Sequence, residues 1–512
     1  MKLTSMPALT QTTGMTLKTL LAGFSDQSPK NAALASREVS ALCFDSRKLQ
    51  RDCVYVAIKG AKADGHAFIE DAVKAGALGL VVEETANVPL HFDGLVAKVA
   101  NSRDTLNKLS ARFFGLPAES LFNIGVTGTN GKTTTTHMIE AIMNHHGLPT
   151  GVIGTINHHL GTHVWATELT TPDPLSFQER LKQFKDLGAK AVAMEVSSIG
   201  LRQNRVDEVP FDVAVFTNLS RDHLDYHKDM EDYFDAKKKL YTELLAKSTK
   251  AKKYAIINGD DEYGQRLLKE ASGTVWSYGV APSSNLRIEV LEQGFFGTRF
   301  ALSTPQGKQE FRIQMTGLHN VYNATAAIGA ALAAGVPLAA CSQALANLTG
   351  VKGRLEAVPN KQGFHVFVDY AHSDDAIETV LKYLNGIRQA AGLKNKIITV
   401  FGCGGDRDKG KRPLMMKAAE RNSDLVVVTS DNPRTEDPEQ IVRDALAGAS
   451  AGAVGKKVHS VVDRRRGIRR ALELASPGDV ILIAGKGHED YQQIGTTKYP
   501  FSDVEVVKEI LQ

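Results

Sequence analysis

The stretch Gly125-Val-Thr-Gly-Thr-Asn-Gly-Lys-Thr-Thr-Thr-Thr136 decides how the rest of the chain is interpreted. An apolar run over residues 121–126 predicts a buried strand, and apolar residues at helical spacing follow the stretch up to Gly147. A strand, a glycine-rich turn and a helix start place successive backbone N–H groups around one point, where they bind an anion. The order of these segments therefore predicts a phosphate-binding loop.

Two side chains of this loop have predicted roles in nucleotide binding. Lys132 carries a positive charge for the outer phosphates, and the Thr133 hydroxyl is suited to bind a magnesium ion. The common GTPase and motor loops have four residues between their first glycine and the Gly-Lys pair. That spacing would place a glycine at position 126, where this chain has Val126, with Gly125 and Gly128 nearby instead. The loop favours a particular subset of ATP-binding proteins, and the alternative is a glycine-rich connection that binds nothing.

Length and composition predict a multidomain α/β protein. The chain has 512 residues, of which 43% are hydrophobic and 23% charged. No apolar run approaches the ~18 residues of a membrane span, and residues 1–16 lack the apolar core of a secretory signal, so a cytoplasmic location is expected. The cysteines show no metal-type pairing and are expected to be free thiols: Cys43, Cys53, Cys341 and Cys403.

The charge balance gives no reason to expect a nucleic-acid partner, because the net charge is only +4. The one basic cluster lies in a helical pattern and contains Arg464, Arg465, Arg466, Arg469 and Arg470. A solvated helix face is the expected structure, and an anion-binding or nucleic-acid-binding patch is the alternative.

Polar residues follow the buried strands of the central region, where strands alternate with helices and predict a largely parallel sheet. Strand Ala191–Glu195 ends in a carboxylate, and a second strand over residues 211–216 precedes a segment rich in histidines and acids. Ligands of open α/β sheets bind at the carboxyl ends of strands, so Glu195 lies where a magnesium ligand is needed. A helix cap is the alternative role for Glu195, and Lys237 taken alone indicates a surface lysine.

A third series of strands begins after residue 350. Apolar runs predict these strands over residues 364–368, 396–401, 424–428 and 479–483. Each is followed by a polar loop, and all four loops should open on the same edge of one sheet. This edge is therefore predicted to bind a ligand.

Taken together, these motifs resemble the Mur ligase family. The motifs are the phosphate loop, Glu-Val-Ser-Ser from Glu195, Asp-His-Leu-Asp-Tyr-His ending at His227, Gly-Arg-Leu-Glu ending at Glu356, Asp-Tyr-Ala-His from Asp369 and Asp-Asn-Pro-Arg from Asp431. The resemblance covers essentially the whole chain. It is strongest to the members that use ATP to add meso-diaminopimelate to UDP-N-acetylmuramoyl-L-alanyl-D-glutamate during peptidoglycan precursor synthesis.

The resemblance implies an α/β fold of three domains. Residues 1–116 would form a smaller N-terminal α/β domain that binds UDP. Residues 117–346 would form a central P-loop ATPase with a mostly parallel sheet, and residues 347–512 a Rossmann-like domain that binds the incoming amino acid. The implied ligands are ATP, Mg²⁺ and the two substrates, with no nucleic acid and no membrane span.

The resemblance also implies roles for individual residues. The residues implied around ATP are Gly128, Thr129, Asn130, Gly131, Lys132, Thr133, Thr134, Asn320, Arg354 and Asp369. Those implied around the UDP-muramoyl dipeptide are Phe44, Ser46, Ala61, Lys62, Ala63, Thr170, Thr171, Ser197, Gln203 and Arg205. Those implied around diaminopimelate are Arg407, Asp431, Asn432, Pro433, Arg434, Gly485 and Glu489.

Four residues have implied catalytic roles: Lys132, Lys237, Glu195 and His223. Thr133, Glu195 and His223 would bind Mg²⁺, together with Lys237 as a carbamate. A carbamate converts the lysine cation into an anion that can bind a metal, and this role replaces the surface-lysine interpretation.

Arg434 is the residue that we expect to select the amino-acid substrate. Meso-diaminopimelate has a distal carboxylate that L-lysine lacks, and the planar fork of an arginine can hold a carboxylate with two hydrogen bonds. Pro433 would fix the direction of the loop, and Glu489 would accept from the distal ammonium. The alternative is that Arg434 only pairs with Glu436 or Asp437 in a surface turn.

Three other activities remain open at this point. An L-lysine-adding Mur ligase differs only in the amine. A folylpolyglutamate synthase shares the Gly-Thr-Asn-Gly-Lys start, but usually continues with Gly-Ser where this chain has Thr133 and Thr134, and lacks the Asp-Asn-Pro-Arg loop. A nucleotide-driven switch without ligase activity would turn over ATP in the absence of an acceptor and an amine.

Overall fold

The computed structural model describes residues 14–24, 32–60, 63–84, 86–167, 169–295 and 297–512. Ala61 and Lys62 of the predicted UDP site lie outside these described residues. The described chain forms two compact units. The first contains the described residues up to Arg287 together with Thr325–Cys341, and the second contains those of Ile288–Ala324 and Ser342–Gln512.

The N-terminal part of the first unit contains a parallel sheet in the order β1-β2-β3-β4. The strands are β1 Ala41–Cys43, β2 Cys53–Val56, β3 Gly79–Glu83 and β4 Leu95–Val99, and the helices are α1 Leu17–Leu21, α2 Ile69–Lys74 and α3 Ser102–Phe113. Val54 and Val56 belong to one apolar cluster, whereas Cys53 and Tyr55 belong to another. Successive side chains of a strand point to opposite faces, so β2 is buried on both faces.

The central part of the first unit is a larger sheet. Its strands are β5 Phe122–Thr127, β6 Thr150–Ile153, β7 His158–Leu160, β8 His163–Trp165, β9 Ala191–Glu195, β10 Val213–Phe216, β11 Tyr254–Asn258 and β12 Thr274–Gly279. Its helices are α4 Lys132–His145, α5 Pro174–Asp186, α6 Ser198–Arg202, α7 Met230–Lys239, α8 Leu245–Lys247 and α9 Glu262–Leu267.

The strand order of this sheet brings three functional loops to one edge. β12-β11-β10-β5-β9-β6 are parallel, and β7 and β8 continue the sheet in antiparallel fashion. β5 lies between β10 and β9, where Phe216 pairs with Thr127 and Glu195 pairs with Val126. The segments after β5, β9 and β10 therefore leave the sheet side by side.

The boundary between the two units falls within β13 Leu286–Gly294, α10 Leu318–Ala333 and α11 Leu338–Asn347. The second unit begins with an antiparallel hairpin of β14 Gly297–Thr304 and β15 Gly307–Ile313. The domain limits predicted at residues 116/117 and 346/347 remain a prediction.

The second unit contains a six-stranded sheet in the order β16-β17-β21-β18-β19-β20. Its strands are β16 Glu356–Val358, β17 His365–Asp369, β18 Ile397–Cys403, β19 Leu425–Ser430, β20 Val458–Ser460 and β21 Val480–Ala484, and a hairpin of β22 Tyr491–Ile494 and β23 Thr497–Pro500 follows. The helices are α12 Asp374–Ala390, α13 Lys411–Asn422, α14 Pro438–Leu446, α15 Arg464–Leu474 and α16 Asp503–Leu511. Only β16 is antiparallel to its neighbour, so the predicted α/β class is confirmed.

Two further predictions concern membranes and thiols. Among the described residues, no helix is both long and apolar enough to cross a bilayer. All four cysteines are buried free thiols, as predicted.

The predicted solvated face of the arginine cluster is wrong for Arg464. Its side chain is fully buried, and its Nε and Nη2 atoms lie 2.8 Å and 2.7 Å from the carboxylate oxygens of Asp503. The same guanidinium donates to the carbonyl oxygens of Ala484 at 3.0 Å and Ser430 at 3.4 Å. Arg464 therefore supports the carboxyl ends of β21 and β19, where the predicted ligand loops begin.

We expect Asp503→Ala to lower the free energy of unfolding by about 3 kcal/mol or more, because it leaves the buried Arg464 without its counter-charge. Glu509→Ala is the matched control. It removes the partner of Arg465 on the same two helices, but that ion pair is half exposed and should contribute less than about 1 kcal/mol. Urea unfolding followed by circular dichroism measures both changes, and equal losses would contradict a supporting role for Arg464.

Candidate active site

The loop between β5 and α4 has a backbone that only glycine permits at one position. Gly128 has a φ of +147°, and a Cβ atom there would lie 1.9 Å from Thr217 Oγ1. Thr217 Oγ1 in turn donates to the carbonyl oxygen of Asn130 at 2.6 Å. The end of β10 therefore packs directly against the phosphate loop.

Asn218 holds the same loop through two further hydrogen bonds. The backbone N–H of Thr129 donates to Asn218 O at 2.8 Å, and that of Asn130 donates to Asn218 Oδ1 at 3.0 Å. Thr217 and Asn218 were not among the residues predicted from the sequence. Their position directly after a buried strand that neighbours β5 was the available signal.

Two lysine side chains donate to one carbonyl oxygen of the loop. Lys132 Nζ donates to Gly128 O and to Thr129 O, both at 2.9 Å. Lys237 Nζ also donates to Gly128 O at 2.9 Å. The Lys237 residue is only 1% exposed, which excludes the surface-lysine interpretation.

The surroundings of Lys237 favour its neutral form. Burial lowers the pKa of Lys237 well below its ordinary value, and the nearby positive charge of Lys132 lowers this pKa further. The Lys237 amine lies 4.6 Å from the centre of the Tyr233 ring. A neutral amine is nucleophilic, so this lowered pKa favours the protonation state that reaction with carbon dioxide requires.

Glu195 is held in one orientation at the end of β9. Its side chain is buried, Oε1 accepts from the backbone N–H of Thr155 at 2.9 Å, and Oε2 accepts from Thr155 Oγ1 at 2.9 Å. The helix-cap alternative is wrong, since Ser197 caps α6. Thr155 was also missed, because it lies forty residues before Glu195 in sequence.

The other two predicted metal ligands are Thr133 and His223. Thr133 is buried in the first turn of α4, and burial lowers the pKa of His223, which favours the neutral imidazole that a metal requires. The Thr133 hydroxyl and the Glu195 carboxylate offer the oxygen atoms that Mg²⁺ prefers, and Thr155 fixes the carboxylate as an outer partner. These two oxygen donors therefore fit Mg²⁺.

Residues predicted to hold the muramoyl dipeptide are linked to each other beside Glu195. They are Thr170, Thr171, Ser197, Gln203 and Arg205. Arg205 donates from Nη1 to Thr171 O at 2.6 Å and from Nη2 to Gln203 Oε1 at 2.7 Å. Thr171 Oγ1 lies 3.1 Å from Ser197 Oγ, and Thr170 Oγ1 lies 3.1 Å from Thr155 Oγ1. These contacts connect the five residues with Thr155, the hydrogen-bond partner of Glu195.

The described UDP residues lie in the N-terminal part of the first unit. Phe44 is half buried against the apolar cluster of α1 and α3. Ser46 begins a short 3₁₀ turn that Asp45 caps, and the carbonyl oxygen of the exposed Ala63 accepts from the Gly60 N–H at 3.0 Å. Ser46 and Ala63 therefore lie in turns before and after β2.

Three predicted ATP residues belong to the second unit. The buried Asn320 donates to Thr316 O at 2.7 Å. The Arg354 guanidinium lies 4.9 Å from the centre of the Tyr370 ring. Burial raises the pKa of Asp369, whereas Arg354 and two backbone N–H donors oppose this change. The Arg354 charge thus acts on the buried Asp369 carboxyl within the same unit.

Residues predicted to bind diaminopimelate surround a lysine that the sequence analysis missed. Lys486 is fully buried, and its Nζ atom lies 2.9 Å from Glu489 Oε2, 3.0 Å from Asn432 Oδ1 and 3.7 Å from Asp431 Oδ1. A Cβ atom on Gly485 would lie 2.6 Å from Asp431 Oδ2, so a larger residue would displace that carboxylate. Lys486 directly follows Gly485 in the predicted loop, which was the available signal.

Arg434 does not form the ion pair that the surface-turn alternative required. Its Nη1 atom donates to Gly405 O at 2.7 Å. Glu436 instead accepts from Arg412 at 2.8 Å, and Asp437 pairs with Arg443. Within the described part of the chain, no carboxylate forms an ion pair with Arg434.

The remaining residues of the predicted pocket lie next to Arg434. Pro433 precedes it, and the Pro433 carbonyl packs against Gly405, where a Cβ atom would lie 1.9 Å from that oxygen. Arg407 is exposed, and its Nη1 atom donates to Asp406 O at 3.4 Å. The loop after β18 and the loop after β19 therefore meet at this edge of the sheet.

We expect Lys486→Met to lower the free energy of unfolding by about 3 kcal/mol, because it leaves buried carboxylates without their cation. Lys498→Met is the control, since Lys498 is exposed and lies near the same Tyr491 ring as Lys486, 4.2 Å from the ring centre. Lys498→Met should lower the free energy of unfolding by less than about 1 kcal/mol. Thermal and urea unfolding of the full chain distinguish the two variants. A Lys486→Met protein with an unchanged free energy of unfolding would refute the stabilising role of Lys486.

Comparisons with known protein families agree along most of the chain. Residues 38–121 match the Mur ligase family catalytic domain, residues 126–331 the Mur ligase middle domain, and residues 353–487 the glutamate ligase domain of Mur ligases. All three matches belong to the same family.

Individual relatives give the same result. The chain is 44% identical over 484 residues to the UDP-N-acetylmuramoyl-L-alanyl-D-glutamate--2,6-diaminopimelate ligase of Geobacter sulfurreducens, covering 92% of this chain and 94% of the relative. It is 45% identical to the ligase of the same name from Aquifex aeolicus, covering 93% and 94%. A solved structure of a ligase of that name superposes with a TM-score of 0.68 at 33% identity, covering 93% of this chain and 96% of that chain. The chain therefore belongs to the Mur ligase family.

Proposed function

We propose that the protein joins meso-diaminopimelate to UDP-N-acetylmuramoyl-L-alanyl-D-glutamate, with conversion of ATP to ADP and phosphate. The observation that carries this proposal is the phosphate loop with two lysines on Gly128 O, in a chain that resembles relatives so named over most of its length. The product is the UDP-muramoyl tripeptide, a peptidoglycan precursor.

The chemistry requires activation, because a carboxylate does not condense with an amine in water. An oxygen of the D-glutamyl carboxylate attacks the γ-phosphorus of ATP, and ADP leaves, which gives an acyl phosphate. The free amine of diaminopimelate then attacks the acyl carbon, and the tetrahedral intermediate expels phosphate. Lys132 would neutralise charge on the transferred group through its ammonium.

The cation site is proposed beside this loop. Thr133, Glu195 and His223, with Lys237 as a carbamate, would hold Mg²⁺, which when bound neutralises phosphate charge. The neutral Lys237 amine adds to the carbon of CO₂, forms an N–C bond and releases a proton. Burial and Lys132 favour this neutral amine, and the resulting anion would balance the lysine beside it.

The substrate regions are proposed from their positions. Residues 1–116 would hold UDP through Phe44 and Ser46, residues 117–346 would hold ATP, and residues 347–512 would hold the amino acid. The reaction is proposed to occur in the cytoplasm, where ATP is available and the four free thiols stay reduced. No nucleic-acid partner is proposed.

We expect wild-type protein in [¹³C]bicarbonate to show a carbamate resonance by ¹³C NMR, and Lys237→Ala to lack it. Lys237→Ala should also lose more than about 100-fold in kcat, with partial recovery in small carboxylic acids that replace the anion. Lys238→Ala is the matched control, since Lys238 is the next residue of α7 and pairs with Glu270 at the surface. A fully active Lys237→Ala protein, or the same resonance in both variants, would disprove the carbamate.

The proposed choice of amine predicts a specific pattern of phosphate release. With ATP and the UDP-muramoyl dipeptide, meso-diaminopimelate should support release, whereas L-glutamate and L-lysine should be at least about 1000-fold less efficient, because lysine leaves Arg434 unpaired. Omission of the amine or of the dipeptide should abolish release. Phosphate release without an acceptor would favour a nucleotide-driven switch, and equal use of lysine would favour an L-lysine-adding enzyme.

Arg434→Ala should lower kcat/KM for diaminopimelate by at least about 100-fold and for lysine by much less, because only the former has a distal carboxylate. Arg443→Ala is the control, because Arg443 is exposed and pairs with Asp437 near the same loop. Equal losses with both amines would show that Arg434 does not recognise the distal carboxylate.

A further inference from the structure

The helix that begins at the phosphate loop carries a second cluster of polar side chains. His137 and Glu140 are three residues apart on α4 and therefore lie on one face of the helix, and His159 lies on β7. Glu140 Oε2 is 3.0 Å from His159 Nε2 and 3.5 Å from His137 Nδ1. Two imidazole nitrogens thus approach one carboxylate oxygen.

The cluster has the dimensions of a metal site. One nitrogen or oxygen atom from each of its three residues lies within 4.8 Å of the others. Ligands that bind a tetrahedral zinc ion at about 2.0–2.2 Å stand roughly 3.5 Å apart, so small side-chain rotations suffice. The side chains are 20%, 15% and 12% exposed for His137, Glu140 and His159, which leaves solvent access for a further ligand.

Both ring nitrogens of His159 face an oxygen atom. His159 Nδ1 lies 2.7 Å from Asn157 Oδ1, and Nε2 lies 3.0 Å from Glu140 Oε2. A neutral imidazole has only one N–H, so when Nδ1 donates to Asn157, Nε2 directs a lone pair towards the Glu140 carboxylate. A metal ion between Nε2 and the carboxylate would use both as ligands. An outer oxygen on the second ring nitrogen is the arrangement that orients metal-binding histidines.

The two imidazoles are also arranged for joint binding. The rings of His137 and His159 are stacked, with centroids 5.3 Å apart and an interplanar angle of 17°. The helix and the strand therefore each bring one imidazole nitrogen within 3.5 Å of Glu140 Oε2 from nearly parallel rings.

We propose that His137, Glu140 and His159 bind a divalent transition-metal ion of the Zn²⁺ or Co²⁺ class, with solvent as the remaining ligand. Two imidazole nitrogens and one carboxylate favour such an ion over Mg²⁺, which prefers oxygen ligands. The ion would join α4 to β7 and so stabilise the helix that carries Lys132. This site is separate from the proposed Mg²⁺ ligands and does not depend on the proposed ligase activity.

The test is a Co²⁺ titration of full-length protein that has been stripped with a chelator. We expect visible absorption from one bound equivalent and a rise in the unfolding temperature. Glu140→Gln and His159→Asn should weaken this binding by more than about 100-fold, and Asn157→Leu, which removes an outer partner only, by about 10-fold. His163→Asn is the control, because His163 lies on the adjacent β8 outside the cluster.

Several outcomes overturn the proposal. Wild-type protein that binds no Co²⁺, or that binds it no more tightly than both Glu140→Gln and His159→Asn, excludes the site. Unfolding curves in chelator establish that each variant is folded, and the nearly isosteric Glu140→Gln decides the question if His159→Asn is not. His223→Ala should retain the Co²⁺ absorption, and its loss there would assign the ion to the nucleotide site instead.

Discussion

The carbonyl oxygen of Gly128 accepts hydrogen bonds from both Lys132 and Lys237, and the candidate nucleotide site depends on this contact. Two ammonium groups beside one oxygen repel each other, and Lys237 is buried as well, so its neutral form is favoured. Gly128 also has a positive φ, and a side chain at this position would collide with Thr217. Gly128 therefore fixes the shape of the phosphate loop, and its carbonyl oxygen binds both lysines.

The second unit uses buried cations in a different way. Lys486 holds the Glu489 and Asp431 carboxylates after β21 and β19, and Arg464 binds the last carbonyls of the same two strands. Buried charges are tolerated only when they are paired, so these contacts fix the loops that carry Arg434. In both units, the sheet order brings loops from neighbouring parallel strands together, and a buried lysine or arginine contacts these loops.

Much of the fold followed from the sequence because buried parallel strands are continuous apolar runs. The observed β5, β17, β18, β19 and β21 lie within about two residues of the runs that predicted them. The phosphate loop could also be predicted from the sequence, because a local turn determines its geometry. These features depend on residues that are neighbours along the chain.

The missed features depend on partners that are distant in sequence. Thr155 meets Glu195 across the sheet, and the burial of Arg464 depends on Asp503 of the last helix. The helical pattern predicted that the arginine cluster is solvated, whereas Arg464, in the first turn of α15, reaches the sheet edge and Asp503. A single sequence gives no information on such pairings. The sequence therefore predicted the positions of the candidate site loops better than it predicted the contacts that stabilise those loops.

We infer that the phosphate loop serves to activate a carboxylate by phosphorylation. The most direct measurement uses UDP-muramoyl dipeptide whose D-glutamyl carboxylate is labelled with ¹⁸O, together with ATP, Mg²⁺ and diaminopimelate. The account predicts one ¹⁸O atom in each phosphate released, because the carboxylate oxygen that attacks phosphorus leaves with it. Tripeptide formation with no ¹⁸O in the phosphate would contradict the acyl-phosphate route.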